Sequence, residues 1–258
     1  MSSFLNLITA NTRKEFIELK RYFPNTLSMI FTFYFIFLAM LLGIHAIGDP
    51  SQAEMNIQYA IVSYVFWFLT LMALQDVGYV IMLEATRGTL EQLYMSPKGM
   101  WKILLSRFIG NLFLYSVILT FLLFLSMLTA GQWLNLKPTI VVPLLLITLV
   151  SIVGAGYMIA GLCVIFKQIQ SFLQILQFIL MGLVFVPLSV APFLVAAPFV
   201  KGVDMIRHVM IENYTWLDFA WTDYAILIGN SVVYLLIGLF IYLKCEKIAM
   251  ERGLLNQY

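Results

Sequence analysis

The chain has 258 residues, 62% of them hydrophobic and 11% charged, with a mean hydropathy of +0.94. Those proportions exclude a soluble globular domain, and apolar runs longer than about 18 residues recur throughout, so several membrane-spanning helices are expected in a single integral membrane domain. The net charge of +2 says little by itself; where the charges sit says more, and no nucleic-acid partner is expected.

Residues 4–23 are too polar to span. Thr12 with Glu15 three residues later reads as a capping box that opens a short helix. On it Phe16, Leu19 and Phe23 share a face, while Arg13, Lys14, Glu18, Lys20 and Arg21 supply charge elsewhere. Residues 1–24 are therefore expected to form an amphipathic helix lying in the membrane interface, its cations directed to lipid headgroups. The first ten residues lack a basic n-region, and no small-residue cleavage pattern follows the first apolar run, so a cleavable signal peptide is not expected.

Residues 25–258 divide into six expected spans. The first covers 25–47, with Pro24 in its first turn, and Gly48-Asp49-Pro50-Ser51 is a turn. The second covers 57–83 and carries Trp67, Gln75 and Asp76; the third covers 103–130. The fourth, 139–166, contains Gly154-Ala155-Gly156 and Ala160-Gly161, small residues that let membrane helices approach closely. The fifth, 171–186, is cut short by Pro187, Pro192 and Pro198, so 191–216 reads as a broken, re-entrant excursion rather than a seventh span. The sixth covers 224–243 and ends in a basic tail, 244–252.

Six spans put both termini on one side. On that side fall Arg13, Lys14, Lys20, Arg21, Arg87, Lys98, Lys102, Arg107, Lys167, Lys244, Lys247 and Arg252, against only Lys137, Lys201 and Arg207 on the other. Lys and Arg accumulate in cytoplasmic loops, so both termini and the 84–97 interval are expected to be cytoplasmic.

Candidate chemistry is sparse. Ionisable groups within spans are costly in lipid, which singles out Asp76 either for a transport role or for pairing with water or a nearby cation. Phe35, Trp67 and Asp76 are candidates for the path of an apolar substrate; the other reading of the aromatics is lipid-facing or packing residues. His208 has no His or Cys at ligand spacing, Cys163 and Cys245 stand alone as free thiols, and no metal site is expected. No Ser/His/Asp or Cys/His arrangement can be argued, so no catalytic residue is assigned. GxxxxGK[ST] is absent from the sequence, so this chain does not bind ATP in the P-loop manner.

The interval 84–97 is the most structured of the polar stretches. Gly88 permits a sharp bend out of the second span, and Thr89 with Gln92 repeats the capping-box pattern, so a short helix is expected from Leu90. Leu90, Leu93 and Tyr94 give it one apolar face beside Glu91. Ser96 then caps the next helix with Pro97 at its first position. Span, hinge, cross-helix, hinge and span make an element that can carry a push from a soluble partner into two spans; an ordinary polar loop is the other reading.

Glu84-x-x-Arg87-Gly88-Thr89-Leu90-Glu91, followed by Ser96-Pro97, resembles the cytoplasmic signature of type-2 ABC exporter permeases. The six-span layout, the amphipathic start and the prolines before the last span are similar to that family over essentially the whole chain, as is Pro198 followed by Asp204 and Arg207. Two positions depart from it: Ala85-Thr86 fills an interval where an acid–base pair is common, and Ala197 precedes the external proline where Asn is common. The resemblance implies a prokaryotic plasma-membrane exporter built from a homo- or heterodimer of permeases and separate ATP-binding-cassette subunits, which hold the ATP and Mg. Glu84, Arg87, Gly88, Thr89, Leu90, Glu91, Leu93 and Tyr94 would then couple to the ATPase, and Pro187, Pro192, Pro198 and Arg207 would belong to an external excursion near the exit. The dearth of buried charge favours a drug, antibiotic or lipid-like substrate over a small ion; a polysaccharide or lipid-linked glycan is the alternative. A stand-alone channel or accessory membrane protein is the alternative from another class.

Overall fold

The computed structural model describes residues 2–47, 50–166 and 169–253, and these are almost wholly helical. In chain order the helices are α1 (Ser2–Arg21), α2 (Phe23–Ile47), α3 (Ala53–Thr86), α4 (Leu90–Tyr94), α5 (Met100–Ala130), α6 (Pro138–Phe166), α7 (Gln170–Phe185), α8 (Val200–Glu212) and α9 (Trp221–Glu251). Gly48 and Asp49 of the expected first turn, and Lys167, lie outside the described residues.

Among the described residues five helices, α2, α3, α5, α6 and α9, are long and apolar enough to cross a membrane. The sixth expected crossing, α7, has 16 residues. It rises about 24 Å against a hydrocarbon core of about 30 Å. α3, with 34 residues, rises about 51 Å and overshoots that core by several turns.

α3 is the hub. It is apolar all round and buried for most of its length, the condition of a helix surrounded by others. Phe33 of α2 meets Trp67 and Phe68 edge-on at 5.9 and 4.5 Å. α5 runs antiparallel to α3: Gln58 donates to Gln132 (3.0 Å) at one end, and Arg107 pairs with Glu84 (2.9 Å) at the other. The end carrying α4 is termed basal and the opposite end distal. α7 climbs α3 from base to top, with Gln75 donating to Leu173 O, Trp67 Nε1 to Gln177 O and Tyr59 to Phe185 O.

α6 and α9 pack backbone to backbone. A Cβ at Gly154 would overlap the Tyr234 carbonyl, and one at Gly238 would overlap the Gly154 carbonyl. One at Gly161 would stand 3.3 Å from Cys245. The expectation from the small-residue run holds, with Gly156 turned instead toward the Phe108 ring of α5. α9 also runs to Glu251 rather than ending near 243, so the expected basic tail is two further helical turns.

α1 differs from expectation. It begins at Ser2 and passes through Thr12 without a break, so Thr12 caps nothing. Thr12 instead lies against Gly110, where a Cβ would sit 3.3 Å from its backbone nitrogen and hydroxyl. Asn11 donates to Ser106 (2.6 Å), and the Phe16 and Phe113 rings lie 6.3 Å apart at the edge of the contact. Contacts advance along both helices together, so α1 lies along α5. The face turned inward carries Phe4, Leu7, Ile8, Asn11, Thr12, Glu15 and Leu19, whereas Phe16 is exposed and Phe23 belongs to α2. A helix-long protein partner outweighs one local cap, and three of the seven seam residues are polar, which is why apolar residues alone indicate the wrong face.

Candidate functional site

The basal cross-helix forms where expected. α3 ends at Thr86, Gly88 takes φ +69°, a conformation that favours glycine, and α4 starts at Leu90. Thr89 does not cap it: its hydroxyl donates back to the Glu84 carboxylate, and its N–H to the Glu84 carbonyl at 3.0 Å. Ser96-Pro97 does not open α5 either. Gly99, with φ +74°, donates to Ser96 O (3.1 Å), closing a turn, and the helix begins at Met100. Both differences share a cause. A local alternative replaces each cap: the Thr89 hydroxyl is taken by the Glu84 carboxylate, and Ser96 is held in a backbone turn.

Two faces of this element differ. Leu90 is 2% exposed, and Leu93 and Tyr94 pack against the core beside it. Arg87, Gly88, Glu91, Gln92 and Met95 face outward, Met95 being 72% exposed. Three ties fix the inner face. Glu84 accepts from both Thr89 and Arg107 of α5, with the Glu84 and Arg107 side chains only 14% exposed. The Tyr94 hydroxyl meets the Tyr242 hydroxyl of α9 at 3.2 Å. Tyr242 is fully buried, its ring 5.6 Å from that of Tyr157 on α6, and Tyr157 donates to Trp101 O (2.8 Å). Among the residues expected to couple, Glu84 thus works internally, while Arg87 and Glu91 are presented.

Above the cross-helix runs a polar seam. Arg107, Asn111 and Tyr115 fall four apart on α5 and so share one face, directed at α3. The Asp76 carboxylate accepts from the Asn111 amide and the Tyr115 hydroxyl. With Arg107 these groups line a cavity of about 20 Å³, room for about one water molecule. Asn111 Oδ1 and Arg107 Nε, both buried, have no hydrogen-bond partner among the described residues. Glu15 reaches toward the seam from α1. Burial pushes its carboxyl above the usual range, Lys14 opposes this, and the Asp76 and Glu18 carboxylates reinforce it. Asp76 therefore pairs with neutral donors rather than with a cation. Asn111 and Tyr115, which hold it, are not among the residues expected from the sequence; their four-residue spacing marks a shared polar face but does not point to Asp76.

The remaining substrate-path candidates do not join Asp76. Trp67 is buried, and its ring nitrogen is committed to Gln177 O. Phe35 is 64% exposed on the far side of α2 from Phe33 and Phe37, which are the aromatics that face α3.

At the distal end the prolines break the helix as expected. Val186 is extended, Pro187 O accepts from Val190 and Ala191, Pro192 opens a 3-10 turn, and Phe199 after Pro198 takes φ +56°. α9 supplies the freed carbonyls with donors: Asn230 to Val195 O and Ala197 O, and Tyr234 to Ala196 O. α8 then turns inward. Arg207, 7% exposed, donates to Ser63 of α3 (3.0 Å) and to Val184 O at the top of α7 (2.8 Å), with its guanidinium 3.9 Å from the centre of the Tyr59 ring. Lys201 bridges Asp204 (3.7 Å) and Asp223 (2.8 Å), and Asp223 also accepts from the Ala220 N–H that opens α9. Arg207 thus clamps the excursion onto two helices.

The chain matches no protein-family model. No curated protein matches it at a significant level.

Proposed function

We propose that the chain is the membrane-spanning permease subunit of an ATP-driven exporter of the type-2 ABC class. The observation that carries this reading is the basal cross-helix. Its exposed face is backed by an ion pair to α5 and a hydroxyl contact to α9, and it sits between two helices that overshoot a membrane. A soluble ATPase docking on Arg87, Glu91, Gln92 and Met95 would displace α3, α5 and α9 together. ATP and Mg belong to that partner. In this reading α7 and the extended residues after it complete a sixth crossing. Both termini are cytoplasmic, and the membrane is a prokaryotic cell membrane.

A second permease copy suits the outward faces of α7 and α2, where Phe172, Ile175, Phe178 and Phe35 are exposed. An amphiphilic or hydrophobic substrate, a drug, antibiotic or lipid-like molecule, fits a core in which Arg207 and Glu246 are the charged groups among the described buried residues. The test is co-purification with the ATPase, followed by Glu91→Arg and Leu93→Pro. Both variants should insert and assemble while ATP hydrolysis no longer drives transport. Normal transport by the assembled variants, or a purified chain that never carries a nucleotide-binding subunit, sinks the reading.

A further inference from the structure

Between α5 on one side and α6 with α9 on the other, the structure leaves a lateral groove of about 530 Å³. Leu105, Ile109 and Leu112 form one wall and Leu146, Val150 and Val153 the other. The walls make no polar demand. Ser116 is committed to Leu112 O (2.7 Å) and the Tyr157 hydroxyl to Trp101 O (2.8 Å). On α5 the groove runs from Trp101 to Ser116, about 22 Å. The groove is elongated and open to the side, and apart from Ser116 and the Tyr157 hydroxyl its lining is apolar, a surface an extended hydrocarbon chain can cover without leaving a polar group unpaired.

Depth and charge say which chain. On α5 the groove starts one residue from the basal end and reaches Ser116, about 24 Å along a helix that rises about 46 Å, so it occupies the basal half of α5. At its basal mouth Trp101 carries the ammonium of exposed Lys102 at 5.2 Å from its ring centre. An aromatic ring and a cation at this level suit the glycerol and phosphate of a lipid headgroup.

We propose that this groove is a binding site for one acyl chain of an anionic phospholipid in the leaflet on the basal side, with its phosphate held by Lys102. The site requires only that the helices lie in a membrane and does not depend on the transport reading, so the two fail separately.

The test uses the full chain in vesicles of phosphatidylcholine containing phosphatidylglycerol with a diazirine in its acyl chain. After photolysis, labelled peptides are mapped by mass spectrometry. Label should concentrate on residues 105–112 and 146–153, and Val150→Trp should abolish it there while Leu236→Trp, on the outward face of α9, leaves it unchanged. Lys102→Gln should lower labelling from phosphatidylglycerol about fivefold, but not labelling from the same probe with a choline headgroup. Label spread evenly onto Leu236 and Phe240, or undiminished in Val150→Trp, overturns the proposal. So does a quantitative disulfide between copies carrying Ile109→Cys and Leu146→Cys, which would make the occupant a second chain.

Discussion

The hydroxyls of Tyr94 and Tyr242 meet at 3.2 Å although 148 positions separate them in the chain. One stands on a five-residue helix at the base, the other on the last long helix, and the contact is partly buried, with Tyr242 wholly enclosed. A neutral buried hydrogen bond contributes about 1 kcal/mol, and losing one member leaves the other unpaired. Tyr94→Phe and Tyr242→Phe should each lower thermal stability in detergent by that amount. The double variant should cost scarcely more than either single. Additive losses would mean that the hydroxyls act separately.

Arg207 offers a sharper test. Replacing it with Leu strands the Ser63 hydroxyl and the Val184 carbonyl and removes the cation above Tyr59, for an expected loss of about 3 kcal/mol. Arg207→Lys should not restore stability, since one ammonium cannot reproduce a planar fork lying over a ring. Melting temperatures of the three proteins decide it.

Gly154 and Gly229 should respond in opposite directions to the same change. Gly154→Ala pushes a methyl into the Tyr234 backbone, with an expected cost of about 3 kcal/mol. Gly229 on α9 has nothing within 4 Å of a built Cβ, and Ala there should stabilise by about 0.5–1 kcal/mol. Equal effects would place the tight α6–α9 contact elsewhere.

Glu15 carries a pH signature. Its carboxyl is raised chiefly by burial, so the folded chain binds that proton more tightly than the unfolded chain does. The charged form therefore weakens the fold above its folded-state pKa, and the penalty fades as pH falls from there toward the ordinary carboxylate range. Glu15→Gln should accordingly stabilise the protein at neutral pH, with the advantage shrinking on acidification. A melting-temperature difference that does not change with pH would refute this.

Much of the fold can be read in the apolar runs, because a span has to be long and uncharged wherever it lies. The cross-helix at Leu90 is legible for a different reason: Gly88 is the residue whose backbone tolerates the turn. What escapes is whatever depends on a partner distant in sequence. Thr12 looks like a cap until Gly110 is seen against it. Ser96-Pro97 looks like a helix start until the turn closed by Gly99 is seen. Asp76 stands out alone in its span, whereas Asn111 and Tyr115, which hold it, are single polar residues in another helix that no local pattern connects to it. Within the candidate site the exposed residues are legible and the ties behind them are not.

The backbone contact of α6 with α9 limits how this molecule can move. Where a glycine carbonyl rests on a neighbouring Cα there is no side chain to switch rotamer and take up a displacement, so the pair travels as one strut. Any rearrangement must therefore fall on joints that have slack: the glycine-flanked ends of the cross-helix, the hydrated-size cavity beside Asp76 and the proline breaks above α7. A displacement of Tyr94 would therefore meet the pair at Tyr242 and move α6 and α9 as one body rather than one against the other.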